Sequence, residues 1–223
     1  MNSLADIIQT IAVYAIPVLF AITVHEAAHG WMANRLGDNT AAMLGRVTLN
    51  PVKHIDPVGT ILIPLMLYFA TSGAFVFGYA KPVPVRFGRL SHPRWGTLWV
   101  ALAGPLANLA QALVWGVLLV LFKGVGMTEP FFLQMCKVGM GVNVVMCVFN
   151  LFPVPPLDGG RVLVSLLPPQ PAIALSRLEP WGFFIVMALL VTHVIDWLWM
   201  RPLMTLVGWA LNIVLYPLWA LVR

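Results

Sequence analysis

Residues 9–30 read QTIAVYAIPVLFAITVHEAAHG, an uncharged apolar run that ends in two histidines and a glutamate. A helix that crosses a bilayer needs about 20 predominantly apolar residues, and this run supplies them. A carboxylate near the centre of such a helix costs roughly 2.5 kcal/mol or more, so Glu26 requires a partner or a water-filled pocket. Gly30, Asn34 and Arg35 follow closely. They place the polar cluster toward one end of the helix, where that cost falls.

The rest of the chain has the same character. Of 223 residues, 60% are hydrophobic and 9% charged, against about 25% charged in soluble domains. Mean hydropathy is +0.89. Long uncharged intervals separate Asp6 from Glu26, Asp56 from Lys81, Arg94 from Lys123, Lys137 from Asp158, Glu179 from Asp196 and Arg201 from Arg223. This predicts an all-α membrane protein, a polytopic helical bundle of five to six hydrophobic segments joined by short extended loops. The segments consume nearly the whole chain, so residues 1–223 read as one integral membrane domain. The net charge of +5 comes from Lys and Arg lying mostly between apolar runs. It reports topology in a lipid bilayer, not a nucleic-acid partner. Asp6 precedes the first segment without any Lys or Arg, unlike the basic start of a cleavable signal peptide, so that segment is expected in the mature protein. Cys136 and Cys147 lack metal-ligand spacing and are expected to be small core residues.

The segments are expected at about Ala5 to Asn34, Pro57 to Tyr79, Trp95 to Phe122 and Phe131 to Phe152, with two more filling Trp181 to Val222. Between the first two lies RLGDNTAAMLGRVTLNPVKHIDP, rich in turn formers. After the second comes AKPVPVRFGRLSHPRW, whose alternating prolines hold the backbone extended. Both loops are basic: Arg35, Arg46 and Lys53 in one, Lys81, Arg86, Arg89 and Arg94 in the other. Positively charged loops favour the cytoplasm. Both can be there only if segment two makes no net crossing. A re-entrant hairpin is therefore expected, bending near Thr71-Ser-Gly73 or Pro64, with its irregular backbone buried in protein or lining a wet cavity.

On a helix, residues four apart share a face with Cβ atoms about 5 to 6 Å apart. His25 and His29 can thus present two imidazoles to one ion, with Glu26 at the edge of that face. This is the spacing by which two histidines hold zinc while a glutamate handles a proton of its water. The competing explanation, polar residues at a helix end in the membrane interface, accounts for the composition but not the spacing. A catalytic zinc takes three protein ligands and a water. His54, His92 and His193 remain, as do Asp6, Asp38, Asp56, Asp158, Asp196, Glu129 and Glu179. Asp158 stands out because NLFPVPPLDGGR, residues 150–161, forces a kinked, extended backbone before it, and Gly159 and Gly160 permit close approach after it.

At these residues the chain resembles the site-2 proteases, the intramembrane zinc metalloproteases. That family pairs His-Glu-x-x-His with a later Asn-x-x-Pro-x-Pro-x-x-Asp-Gly, matched by Asn150, Pro153, Pro155, Asp158 and Gly159. A further element, Gly-Pro-x-x-Asn, is matched by Gly104, Pro105 and Asn108. The matches run in family order across about Ile22 to Arg161. The resemblance implies one zinc ion held by His25, His29 and Asp158, with Glu26 as the catalytic base and Asn150 positioning substrate or polarising the scissile carbonyl. LNPVKHIDPVGT and AKPVPV look like the compact prokaryotic subgroup, without a PDZ-like or nucleotide-sensing domain. The catalytic core then spans about 5–161 and accessory helices about 181–222. The resemblance also implies a multi-pass protein of a prokaryotic plasma membrane, with its active site toward the cytoplasmic side and a transmembrane protein or peptide as substrate.

Other residues carry less. Asn108 reads either as an active-site donor or as an interhelical hydrogen bond, with packing preferred. Gly104 and Pro105 read as a kink or a close-packing site. His54 can line the pocket but reads more simply as a structural loop histidine. Asp196 is expected at an interface, with Trp197 and Trp199 as an aromatic belt. Edge pairing of an unwound substrate with the 80–95 stretch is a further expectation. Two rival functions remain. A metal transporter should show several ligand sets along a path, and the sequence offers one complete set. An inactive scaffold of the same fold usually loses a ligand or the glutamate, and here all four are present.

Overall fold

The computed structural model describes residues 4–70, 78 and 80–222. Among them the regular structure is entirely helical. Helix α1 (Leu4–Arg35) is followed by the short α2 (Thr40–Met43) and a 3-10 turn at Pro51–Lys53. A π-type turn at Pro57–Leu62 leads into α3 (Ile63–Ala70), started by Asp56, whose side chain accepts from the amides of Val58 and Gly59 at 3.0 and 2.7 Å. Such an acidic cap satisfies donors that a helix start leaves open. After the extended 80–86 stretch and a turn at Phe87–Arg89 come α4 (Pro93–Gly124) and α5 (Pro130–Asn150). Each begins on a proline, whose fixed φ suits a first turn and whose missing N–H costs nothing there. Then follow α6 (Asp158–Leu166), α7 (Pro169–Ser176), α8 (Glu179–Val191) and, through a π-type turn at Asp196–Met200, α9 (Arg201–Val222).

Helix α4 is the hub, packed against α1, α5, α6 and α9. One buried cluster, including Ala112, Val144, Val148, Ile195 and Leu211, ties α4 and α5 to the α9 region. Among the described residues, four helical stretches are long and apolar enough to span a membrane: Ile11–Arg35, Pro93–Gly124, Pro130–Asn150 and Asp196–Val222. The fifth expected segment falls short of a span by itself. Helix α8 has 13 residues, a rise of about 20 Å, and reaches span length only together with α7, from which it is bent by 68°. Trp199 also departs from expectation. Its indole turns inward, donating to the carbonyl of Val148 at 2.8 Å, while Trp197 is exposed.

The two basic loops meet at one end of the bundle. Lys81 donates its amide to the carbonyl of His54 at 3.0 Å, and Arg46 Nη2 donates back to the carbonyl of Lys81 at 2.8 Å. The Arg86 amide reaches Asp38 Oδ2 at 2.6 Å, and the Ser91 amide reaches the carbonyl of Leu36 at 2.8 Å. Segment two therefore leaves and returns at the same end, as a hairpin requires. The expected bend at 71–73 lies outside the described residues, and Pro64 sits within the helical turns of α3.

Candidate metal centre and active site

His25 and His29 project from α1 into the bundle, 4% and 9% exposed. Their Nε2 atoms lie 3.0 Å apart, and each lies 3.3 Å from Asp158 Oδ2. The proton positions follow from the partners. His29 Nδ1 is 2.7 Å from the carbonyl of Val100, which only accepts, so Nδ1 carries the hydrogen. His25 Nδ1 is 2.6 Å from Asn108 Oδ1. The Asn108 amide is oriented because its Nδ2 donates to the carbonyl of Ala21 at 3.2 Å and to Asn143 Oδ1 at 2.9 Å. Asn143 is oriented in turn by donating to the carbonyl of Gly139 at 2.9 Å. A chain anchored on backbone carbonyls thus leaves Asn108 Oδ1 to accept from His25.

With the hydrogens on Nδ1, each imidazole in its neutral form aims a bare Nε2 lone pair at the other and at a carboxylate oxygen. Asp158 Oδ2 has no hydrogen-bond donor among the described residues. A proton can bridge one pair of these atoms but not all three. A cation can satisfy the whole set. The separations fit zinc: bonds of 2.0 to 2.1 Å in a tetrahedron put ligand atoms about 3.3 Å apart. Two histidines and a carboxylate form a catalytic zinc set that leaves a fourth position open.

Three features of the chain hold that triangle. Gly104 of α4 passes directly over the imidazoles, and a Cβ there would stand 2.5 Å from His25 Cε1 and 2.6 Å from His29 Cε1. Glycine at 104 is thus a steric condition of the site. Asp158 opens α6, whose first turn lies so close to the preceding loop that a Cβ at Gly159 would stand 2.6 Å from the carbonyl oxygen of Phe152. The other end of α6 is fixed by Arg94, which donates to the carbonyls of Ser165, Leu166 and Leu167 at 2.7, 3.1 and 3.2 Å.

Glu26 stands outside the triangle. Its Oε2 accepts the amide of Val83 at 2.7 Å, from the extended stretch between Pro82 and Pro84. The remaining sequence candidates sit elsewhere. His54 is buried, 1% exposed, with Nε2 donating to the carbonyl of Thr48 at 3.0 Å. It ties the first loop together and is not among the clustered ligands. Asn150 donates to the carbonyl of Met146 in its own helix at 2.9 Å. Asn108 makes the interhelical hydrogen bonds of the packing reading; its Nδ2 is used there, and toward the site its Oδ1 accepts from His25. Asn143 went unremarked in the sequence, although an asparagine in an apolar span is a signal. The Val83 and Val100 contacts use backbone atoms, which residue type does not advertise.

Comparison with known proteins agrees with this chemistry. The model of peptidase family M50 matches residues 13–139, which include His25, Glu26, His29 and Asn108 but stop short of Asp158. The chain is 38% identical over 186 residues to "Putative zinc metalloprotease YwhC" of Bacillus subtilis, covering 79% of each protein. It is 32% identical over 184 residues to "Putative zinc metalloprotease Rip2" of Mycolicibacterium smegmatis, covering 80% of this chain and 66% of that one. A Rip2 of Mycobacterium tuberculosis is likewise 32% identical, over 88% of this chain and 69% of its own length. No solved structure matches. With these likenesses beside the zinc-spaced ligands and the apolar helices, the chain belongs to peptidase family M50, the site-2 proteases, and is an integral membrane zinc metalloprotease.

Proposed function

We propose that the protein hydrolyses peptide bonds within or near transmembrane segments of membrane-protein substrates. The observation that carries this is the burial of His25 and His29, with Glu26 between them, in a helix long and apolar enough to span the bilayer. Zinc held by His25, His29 and Asp158 would supply a Lewis acid that polarises a carbonyl and lets water ionise near neutral pH. Glu26 accepts the proton of the attacking water and delivers it to the leaving amine. The Val83 amide fixes one oxygen of that carboxylate and leaves the other for the proton. Asn108 and Asn143 keep His25 in the tautomer whose Nε2 is free.

A helical substrate shields its own peptide bonds, so it must unwind locally to be cut. The 80–86 stretch can help only in part. Pro82 and Pro84 have no N–H, and the amides of Lys81, Val83 and Arg86 are already engaged. It would accept hydrogen bonds from a substrate strand rather than build a full ladder. Asn150 steadies the scissile carbonyl once it leaves the carbonyl of Met146. The basic loops support a cytoplasmic placement of this end, and the prokaryotic sources of the relatives support a plasma membrane.

The test uses purified wild type, Glu26→Gln and His25→Ala, with bound zinc and cleavage of a transmembrane substrate as readouts. Glu26→Gln is expected to keep zinc and lose cleavage, while His25→Ala loses both. Full cleavage by Glu26→Gln would overturn the mechanism.

A further inference from the structure

Where the two basic loops meet they form an open cavity of about 500 Å³, lined by Arg46, Lys53 and Lys81 together with Leu44, Val52 and Pro82. Three cations line it and no acid does. The nearest carboxylate in sequence, Asp56, is spent capping Val58 and Gly59. Arg46 is only 9% exposed. Its Nη2 is held by the carbonyl of Lys81, yet its Nε is buried without a partner among the described residues. A guanidinium and two ammonium groups lining one cavity, with no carboxylate among the lining residues, favour an anionic ligand there.

The rim says which kind. Leu44 and Val52 line the same cavity while 61% and 71% exposed, and Met43 and Leu49 on the same loop are 76% and 64% exposed. Exposed apolar side chains around a cationic pocket suit a ligand with a charged head and hydrocarbon tails, at the level where a spanning bundle leaves the bilayer. We propose that this cavity binds the phosphate headgroup of an anionic phospholipid. Arg46 and the two lysines contact the phosphate, and Leu44 and Val52 lie along the upper acyl chains. The site also touches the machinery of hydrolysis: Pro82 forms its wall, and the next amide, Val83, holds Glu26. Occupancy therefore steadies the stretch that positions the base.

The binding test is independent of cleavage, so it stands or falls apart from the proposed substrate class. Full-length protein in neutral detergent is titrated with short-chain phosphatidylglycerol, short-chain phosphatidylcholine or inorganic phosphate and followed by native mass spectrometry. Wild type is expected to prefer phosphatidylglycerol. Lys53→Gln/Lys81→Gln, which leaves buried Arg46 and the zinc ligands in place, should keep its zinc and bind that lipid at least roughly tenfold more weakly. Equal affinity of wild type for the two lipids, or an unchanged preference in the double variant, overturns the proposal. Displacement of phosphatidylglycerol by equimolar inorganic phosphate overturns the lipid assignment in favour of a free phosphate site.

Discussion

The backbone amide of Val83 donates to Glu26 Oε2 at 2.7 Å, so the base of the active site is held by a residue 57 positions away that has no side-chain chemistry of its own. Val83→Pro deletes that donor while suiting the extended backbone between Pro82 and Pro84. A hydrogen bond to a charged group is worth about 1.5–3 kcal/mol, so the cleavage rate is expected to fall about tenfold to a hundredfold with zinc content unchanged. Val83→Ala keeps the amide and should retain most of the rate. Equal losses in the two variants would assign the effect to packing.

Gly104→Ala tests the steric condition on the ligands. The new Cβ would press on both imidazoles, and neither ring can retreat without breaking its Nδ1 hydrogen bond. Zinc affinity is expected to fall by about 10 to 100-fold, the range seen when the support of metal ligands is disturbed. Zinc retained after dialysis against a graded chelator is the measurement. Retention equal to wild type would show that the helices shift at no cost.

The asparagine chain predicts an order of effects. Asn108→Ala removes the acceptor of the His25 proton and should weaken zinc binding about 10 to 100-fold. Asn143→Ala acts only through the orientation of Asn108, so its loss should be smaller. In the double variant the effects should not add, because residues in one network are coupled. Additive losses would break the relay from Gly139 to His25.

Asp38 predicts an acid dependence of stability. Its burial alone would raise its pKa, but hydrogen bonds from Thr40 and from the Arg86 amide outweigh this and hold the carboxyl below the usual range. A folded-state pKa below the unfolded value contributes stability above the unfolded pKa of about 3.9, lost as pH falls through the folded value. Asp38→Asn should therefore unfold more easily than wild type at neutral pH, by about 1 kcal/mol. The gap should close below about pH 4. A gap independent of pH would show that charge is not what Asp38 contributes.

Much of the site was legible because its ligands announce themselves. His25 and His29 show helical spacing, and Asp158 sits in a proline and glycine frame that has no other obvious use. Helix α1, which carries the two histidines, was equally plain, since a long uncharged run has one physical outcome in lipid. What stayed hidden were contacts that use the backbone or depend on tertiary approach. Val83 and Val100 look like ordinary apolar residues, and nothing in Gly104 says that two imidazoles lie beneath it. Helices α6 and α7 were missed because they are short, proline-flanked and not strongly apolar. The uncharged interval from Glu179 to Asp196 located segment five, but charge spacing records length and not direction, so the bend of 68° between α7 and α8 left no trace in it.

The clasp on α6, with Asp158 at its start and Arg94 on its last carbonyls, has a temporal side. The two histidines leave the ribosome early, on α1, but the third ligand emerges more than a hundred residues later and is placed only when α6 docks against α4 and the loop from α5. A nascent chain with α1 through α4 inserted therefore carries two of the three ligands and an idle base. Hydrolytic competence arrives with the completion of the bundle, so the enzyme is silent while it is itself an unfinished membrane protein among others.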